Sequence, residues 1–289
     1  VHEIRSLVEE WEKKLALISE VIDEWLTCQR QWMYLENIFT AEDIQKQLPA
    51  ETAKFNQVDK FWRDLMMKAN KKPIVQDICA SEELLKKLQA NNNILEEIQK
   101  SLENYLETKR AAFPRFYFLS NDELLEILSQ TRNPHAVQNH LRKCFDNINR
   151  IKFNISEDEQ SKEIIAMISA EPETEPETVP FSKSVMAEGP VEHWLFNIQE
   201  MMVTTLYDIT KKAYLEYPKN GLERDEWLFS YPAQCVLVVD IIMWTAGCTQ
   251  AILDVEQGRN KDAIKDFLEF SKQQIGKMID LVRGQRTIA

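Results

Sequence analysis

The chain has 289 residues, of which 44% are apolar, and its 47 acidic and 35 basic side chains give a formal net charge of −12. The apolar fraction predicts a folded protein with one large core or two smaller ones. The acidic excess argues against a nucleic-acid partner, which would need basic side chains to neutralise its phosphates. No basic block predicts binding to a membrane surface.

The five cysteines are Cys28, Cys79, Cys144, Cys235 and Cys248. Their odd number, wide spacing and mostly apolar neighbours predict reduced, buried thiols of a cytosolic protein. Neither a CxxC pair nor a zinc-binding pattern is present. The chain opens without a signal-peptide pattern and closes in polar sequence, so we expect it to be a piece of a longer polypeptide.

The first 188 residues contain no glycine, which favours long helices over tight hairpins. Apolar residues follow one another at alternating steps of four and three from Ile4 to Trp25, the spacing of a coiled-coil-like seam. This spacing predicts a helix from about Glu3 to Phe39, about 55 Å long. A second seam, from Phe55 to Ala69, predicts a helix that starts near Pro49.

Ser81 is predicted to begin another long helix, which ends before Pro114. Asn91 occupies a position of its seam and either fixes the helix register or lies partly exposed; the second alternative is favoured. The aromatic run from Phe113 to Phe118 follows. Ser120 then begins a new helix as N-cap, with Glu123 in the position that completes a capping box. Four aromatic residues around a proline predict a corner fixed between two helices.

The stretch 146–189 differs from the rest. Residues 164–170 and 179–185 flank the acidic loop 171–178 and predict a β-hairpin. Helical periodicity resumes after Pro190 and ends near Pro218. The segment 233–253 is nearly long enough to span a bilayer, but Asp240 alone would cost about 2.5–3.5 kcal/mol at mid-span. It is therefore predicted to be the buried central helix of a bundle, covered by a last helix from about Asn260 to Val282.

No catalytic constellation is apparent. A nucleotide-binding P-loop needs closely spaced glycines followed by Lys and Ser or Thr, and the sequence has none. His135 and His140 lack the i, i+4 spacing of helical metal ligands. The sequence thus predicts no catalytic residue, no cofactor site and no metal site in this chain.

Several blocks resemble the dynein heavy-chain linker, the segment ahead of the motor's ATPase ring. They are Gln31 to Phe39 with Gln47-Leu48-Pro49, Phe113 to Phe145, Val191 to Leu195, and Tyr231 to Trp244. Gln47-Leu48-Pro49, Phe55-Asn56-Gln57-Val58-Asp59 and Trp62-Arg63 look more like axonemal than cytoplasmic heavy chains.

The resemblance implies a mechanical lever that bends and straightens across a ring of AAA+ modules of the same chain as ATP is turned over. The parent would be an ATP-driven, minus-end-directed microtubule motor of the cilium or flagellum axoneme, with intermediate and light chains as partners. ATP and Mg would bind in the ring, outside this chain. A passive, spectrin-like scaffold is the alternative, although no internal repeat near a hundred residues supports it.

We therefore expect a mainly α fold, an elongated rod of antiparallel helical bundles with a small β-hairpin near the middle. Three regions are predicted: a long-helix bundle in 1–112, the corner with short helices and the hairpin in 113–189, and a second bundle in 190–289. The structural corner comprises Phe113, Pro114, Phe116, Tyr117, Phe118, Ser120 and Glu123. Glu173, Glu175 and Glu177 at the hairpin tip are predicted to contact the ring.

Overall fold

The computed structural model describes residues 2–130, 133–154, 161–170, 176–218 and 224–284. Across these ranges the fold is mainly α with a small antiparallel sheet, as predicted. The chain divides into two compact units, one of residues 1–146 with 187–196 and the other of residues 147–186 with 197–289. The three predicted regions do not coincide with these units and stay a prediction.

The first unit is helical. Its elements are α1 (His2–Phe39), α2 (Glu42–Gln47), α3 (Pro49–Lys71), α4 (Val75–Cys79), α5 (Glu82–Ala112), a 3-10 helix (Pro114–Phe118), α6 (Asn121–Ser129), a second 3-10 helix (Pro134–His140), α7 (Leu141–Cys144) and the beginning of α8 (Val191–Leu215). The predicted long helices are all present. Ser81 caps α5 by accepting a hydrogen bond from the backbone N–H of Leu84 (3.3 Å).

Helices α1 and α3 pack antiparallel through their aromatic side chains. Trp62 contacts Trp25 and Trp32 at ring-centroid distances of 6.0 and 5.8 Å, and Phe39 stacks on Phe55 at 5.3 Å. Such pairs contribute about 0.5–1.5 kcal/mol each beyond the area they bury. Along the seam of α1, Ile18 is buried, whereas Ile4, Val8, Trp11 and Leu15 are exposed.

The contact between α1 and α5 includes a polar pair that the sequence did not indicate. The side-chain amide of Asn92 donates to the backbone oxygen of Glu24 (3.0 Å) and to its carboxylate (2.6 Å). Asn91 is buried, against the favoured expectation, and its amide donates to the backbone oxygen of Lys87 within the same helix. The cross-helix bond that helps to set the register is therefore made by Asn92.

The second unit contains three antiparallel strands in the order β1 (Ile148–Phe153), β2 (Glu163–Ser169) and β3 (Thr178–Met186). Strands β2 and β3 confirm the predicted hairpin, and β1 adds a strand that was not predicted. Ile151 pairs with Met167, and Ile164 pairs with Val185. The sheet contacts α8, because the backbone N–H of Ser182 donates to the buried Thr205 hydroxyl (3.0 Å).

The rest of this unit consists of the remainder of α8, then α9 (Arg224–Ser230), α10 (Ala233–Glu256) and α11 (Ala263–Arg283). Trp227 of α9 is buried with Ala213, Val236 and Val239, and its indole N–H donates to the Ala213 backbone oxygen (3.0 Å). This cluster attaches α9 and the beginning of α10 to the end of α8.

Helix α10 is not the buried central element that its composition predicted. Leu237 and Ile241 are each 64% exposed, because α11 and the Trp227 cluster cover only part of its circumference. Among the described residues, α10 is the one helix long and apolar enough to cross a membrane, with a mean hydropathy of 1.8. That property rests on length and composition alone. It leaves the prediction of no membrane partner untested.

Gly247 permits the close packing of α10 on α11. A Cβ at this position would overlap Cε2 of Phe267 and would lie 2.8 Å from Cζ of the same ring. We expect Gly247→Ala to displace the Phe267 ring, at an overpacking cost of about 1–3 kcal/mol that exceeds the gain of about 0.5–1 kcal/mol from replacing a helical glycine. Gly276→Ala is the matched control, since a Cβ there meets nothing within 4 Å. It should stabilise α11 by about 0.5–1 kcal/mol. Urea titrations that rank the two variants in the opposite order would refute this account of Gly247.

Candidate functional site

The candidate site is the corner between α5 and α6, which comprises the 3-10 helix and the residues on either side. Helix α5 ends where Phe113 takes an extended conformation (φ −135°, ψ 94°), as expected of a residue that precedes proline. Pro114 opens the 3-10 helix at a position where its missing N–H has no helical partner to lose. Leu119 is extended, and Ser120 begins α6.

Two phenylalanine rings form the core of the corner. Phe113 and Phe116 are both fully buried and meet edge to face, with ring centroids 5.0 Å apart. Phe145, after α7, adds a third ring at 6.5 Å from Phe113. The three rings bring together residues from the end of α5, the 3-10 helix and the end of α7.

The other two aromatic residues of the run face solvent. Phe118 is 68% exposed and Tyr117 is 60% exposed. The Tyr117 hydroxyl donates to the Glu107 carboxylate (3.1 Å), and this hydrogen bond raises the pKa of Tyr117. The buried part of the corner therefore consists of the first two aromatic residues of the run, and Tyr117 and Phe118 form its outer surface.

The structure contains the capping box at the beginning of α6. The backbone N–H of Glu123 donates to the Ser120 hydroxyl (3.3 Å), and the backbone N–H of Ser120 donates to the Glu123 carboxylate (3.0 Å). Lys143 donates to the other carboxylate oxygen of Glu123. The bond from Lys143, followed by that from the Ser120 backbone, lowers the pKa of Glu123 to about 2. One side chain thus caps α6 and ties it to α7.

The lowered pKa of Glu123 makes the stability of the corner depend on pH. A carboxyl group whose folded-state pKa is depressed contributes stability above its unfolded pKa of about 4, and loses it as the pH falls toward about 2. The wild-type chain should therefore lose more stability over this range than a Glu123→Gln variant. Urea midpoints measured from pH 6 to pH 2 test this; a gap between the two proteins that stays constant with pH would contradict it.

Two arginines hold the corner together, and the sequence did not single them out. Arg110, 9% exposed, donates to Oδ1 of Asn121 (2.7 Å) and to Oε1 of Glu107 (3.0 Å), so it joins α5 to α6. Arg115 donates to the backbone oxygen of Cys144 (2.9 Å) and lies over the Phe145 ring at 4.7 Å. The signal available for Arg110 in the sequence was a basic residue in the last turn of α5, on the buried face of the helix.

A buried ion pair lies near the corner in the same unit. Lys109 of α5 donates to Oε1 of Glu192 in the first turn of α8 (2.6 Å), and their side chains are only 17% and 6% exposed. The pair borders a cavity of about 540 Å³, also lined by Gln47 and Leu128. This arrangement fixes the beginning of α8 to the end of α5.

The buried thiols of this unit are poor nucleophiles. Burial raises the pKa of Cys28 to about 12 and that of Cys144 to about 11. Thiolates are the reactive form, so both cysteines act as small apolar side chains in the core. In the described ranges no group of three or more His, Cys, Asp or Glu side chains is arranged to hold a metal ion.

Comparison with known proteins decides the family. A family model described as "Dynein heavy chain, N-terminal region 2" matches residues 1–213. The chain belongs to the dynein heavy chain family. It is 44% identical to human dynein axonemal heavy chain 6 and to human dynein axonemal heavy chain 2, and each of these alignments covers 97% of the present chain. It is 43% identical to rat dynein axonemal heavy chain 1, with 96% of the present chain covered. It spans only 6–7% of the length of these relatives.

These similarities confirm the prediction, made from the sequence blocks, that the chain is of the axonemal dynein heavy-chain type. The family match ends at residue 213, before α9, but the alignments to the relatives continue over nearly all of the chain. The corner from Phe113 to Glu123 therefore lies within the part of this dynein chain that the family model covers.

The predicted ring contact in this dynein chain falls mostly outside the described residues. Glu173 and Glu175 belong to the segment 171–175, which is not described. Glu177 is described, and its Oε1 accepts a hydrogen bond from the backbone N–H of Ala233 (3.0 Å) at the beginning of α10. A carboxylate at a helix N-terminus is favoured by the helix dipole. Glu177 thus has a structural role within the second unit, and ring contact by the three glutamates stays a prediction.

Proposed function

We propose that this chain is part of the linker of its dynein heavy chain and works as a mechanical lever. The lever bends and straightens across the AAA+ ring of the same chain and converts ATP turnover into movement along a microtubule. The observation that carries the proposal is the corner at Phe113 to Glu123. The corner joins successive helices through its phenylalanine rings, Arg110 and the capping box. These contacts must break together before the corner bends.

The parent protein would accordingly be an ATP-driven, minus-end-directed motor of the cilium or flagellum axoneme. Its intermediate and light chains and the microtubule would bind other parts of the heavy chain. The ATP and Mg would be held in the ring, and this chain would contribute no catalytic group. Membership of the dynein family and similarity to axonemal heavy chains support these assignments.

A flexible insertion tests the lever directly. We expect a short Gly-Ser insertion between Leu119 and Ser120 in the intact heavy chain to slow microtubule gliding severalfold, because the corner would no longer transmit force. ATP hydrolysis should continue, since the ring is unchanged. The same insertion after Gly258, in the exposed connection between α10 and α11, is the control. Equal gliding velocities for the two insertions would refute a mechanical role of the corner.

The hairpin tip gives a second test of the proposed mechanism. We expect Glu173→Lys combined with Glu175→Lys to change gliding velocity, because reversing two charges would disturb a contact with the ring. Glu177 is left unchanged, since its carboxylate binds the beginning of α10. Gliding assays of the intact motor measure the effect. An unchanged velocity would contradict the predicted ring contact but would not contradict the lever proposal.

A further inference from the structure

Helices α10 and α11 form a hairpin with large apolar side chains on its outside. We call these residues the α10–α11 surface; they are between 48% and 84% exposed. On α10 they are Leu237, Ile241, Trp244 and Ile252, and on α11 they are Ile264, Leu268, Ile275 and Val282. Isolated exposed apolar residues are ordinary, but a set of this size on one hairpin marks an interaction surface.

The spacing on α11 indicates what kind of partner fits. Positions 264, 268, 271, 275, 278 and 282 follow one another at alternating steps of four and three, the pattern of a seam that receives another helix. Of these six, four are the α11 members of the surface, and Ser271 and Met278 are the others. The side of α11 that packs on α10 is marked by Phe267, whose ring lies against Gly247. Ser271, Ile275 and Met278 also line the cavity of about 290 Å³ that Gly247 and Phe267 border, so the helix-binding seam of α11 adjoins that side.

The charges of the hairpin argue for a helical partner over a lipid or nucleic-acid surface. Residues 233–284 carry seven acidic and six basic side chains, so the hairpin lacks the basic excess that anionic surfaces attract. Asp240, the one charged side chain in the first half of α10, is bound by the buried Arg224 of α9. No member of the α10–α11 surface carries a charge.

We propose that the α10–α11 surface binds an amphipathic α-helix of the same heavy chain that lies outside residues 1–289. The relatives place more than nine-tenths of their length outside the aligned region, so the parent has ample chain to supply such a helix. A tethered helix is present at high effective concentration, and an apolar surface without charge complementarity then suffices to hold it. This packing of the heavy chain does not depend on lever motion.

Hydrogen exchange measured by mass spectrometry compares the 289-residue chain with the intact heavy chain. The backbone amides of α11 should exchange at least about tenfold more slowly in the intact heavy chain, because a bound helix would suppress the local opening that exchange requires. Amides of β2 serve as the internal reference and should exchange equally in both. Equal exchange of α11 in both proteins would overturn the proposal.

A matched pair of variants assigns the protection to the surface. Leu268→Lys places a charge in the seam, whereas Gln273→Lys adds the same charge at an exposed polar position of α11. In the intact heavy chain, Leu268→Lys should remove the slow exchange of α11 and Gln273→Lys should preserve it. In the 289-residue chain both variants should keep the urea midpoint of the wild type. Protection that survives Leu268→Lys would contradict the assignment.

Two alternative occupants of the α10–α11 surface, a second copy of the chain and a membrane, would give different experimental results. If a second copy covered the surface, light scattering would show a dimer of the 289-residue chain, and α11 would become protected as the concentration rises. If a membrane covered it, the 289-residue chain would sediment with phosphatidylcholine and phosphatidylserine vesicles, and Ile241→Lys would abolish that binding. Either result would overturn the proposal. A monomer that stays in the supernatant supports the intrachain helix.

Discussion

Replacing Phe113 by alanine is expected to lower the free energy of unfolding of the first unit by about 3–5 kcal/mol, the usual cost of removing a buried phenylalanine ring. The ring is fully buried and contacts both Phe116 and Phe145, so its loss leaves a cavity where three elements meet. The surrounding helices cannot collapse into that space without moving Pro114 and the capping box. Urea denaturation followed by circular dichroism measures the change.

Phe118→Ala is the matched control, because it removes the same ring from the same 3-10 helix. Phe118 is 68% exposed, so its loss should change the stability by no more than about 0.5 kcal/mol. If the two alanine variants proved equally stable, the description of Phe113 as the core of the corner would be wrong.

Replacing Lys109 by methionine should be comparably damaging, at about 3–5 kcal/mol, because it leaves the buried Glu192 carboxylate without its cation. Oε1 of Glu192 is bound by Lys109, and Oε2 has no hydrogen-bond partner among the described residues. Glu192, whose side chain is 6% exposed, would then lie at the beginning of α8 without a cation beside it. Urea titration of the variant measures the loss.

A second substitution and an exposed pair serve as controls for Lys109. Adding Glu192→Met to Lys109→Met should recover most of the loss, since an apolar pair of similar volume often replaces a buried ion pair without cost. Lys54→Met removes one partner of the exposed Lys54–Glu97 pair and should cost no more than about 1 kcal/mol. A cost for Lys109→Met as small as that for Lys54→Met would contradict the buried-pair account.

The helices were predictable because their apolar residues recur at helical spacing over many turns. Ser81, Pro114 and Ser120 then marked the ends through local backbone chemistry, which does not depend on the rest of the fold. Strands β2 and β3 were likewise visible as apolar runs on either side of an acidic loop. Strand β1 was not, because Ile148–Phe153 alternates with polar residues over only a short stretch.

Burial and partner choice could not be predicted in the same way. The spacing of α1 is the same at Val8 as at Ile18, but only Ile18 is buried, since burial depends on which neighbouring helices reach that far. The apolar composition of α10 does not show whether one neighbouring helix or several cover it, so composition alone could not predict how much of α10 is buried. Asn92 lies beside a seam position in the sequence, and its bond to Glu24 depends on the three-dimensional register of α1 and α5.

The candidate site was predicted in outline and completed by the structure. The aromatic run and the capping box identified the corner, because both are local patterns. Which rings are buried depends on the 3-10 helix, which turns Phe116 inward with Phe113 and leaves Phe118 outside. The bonds from Arg110 to Asn121, from Arg115 to Cys144 and from Lys143 to Glu123 join residues that are 11–29 positions apart in the chain, and periodicity carries no information about them.

The lever proposal is tested most directly by energy transfer in the intact heavy chain. A donor fluorophore at the exposed position 118 and an acceptor in the ATPase ring would report the distance between the corner and the ring. The proposal predicts that transfer efficiency differs between the ATP-bound and nucleotide-free motor, and that it changes at the rate of the ATP-driven step. An efficiency that stays the same in every nucleotide state would contradict a lever that moves across the ring.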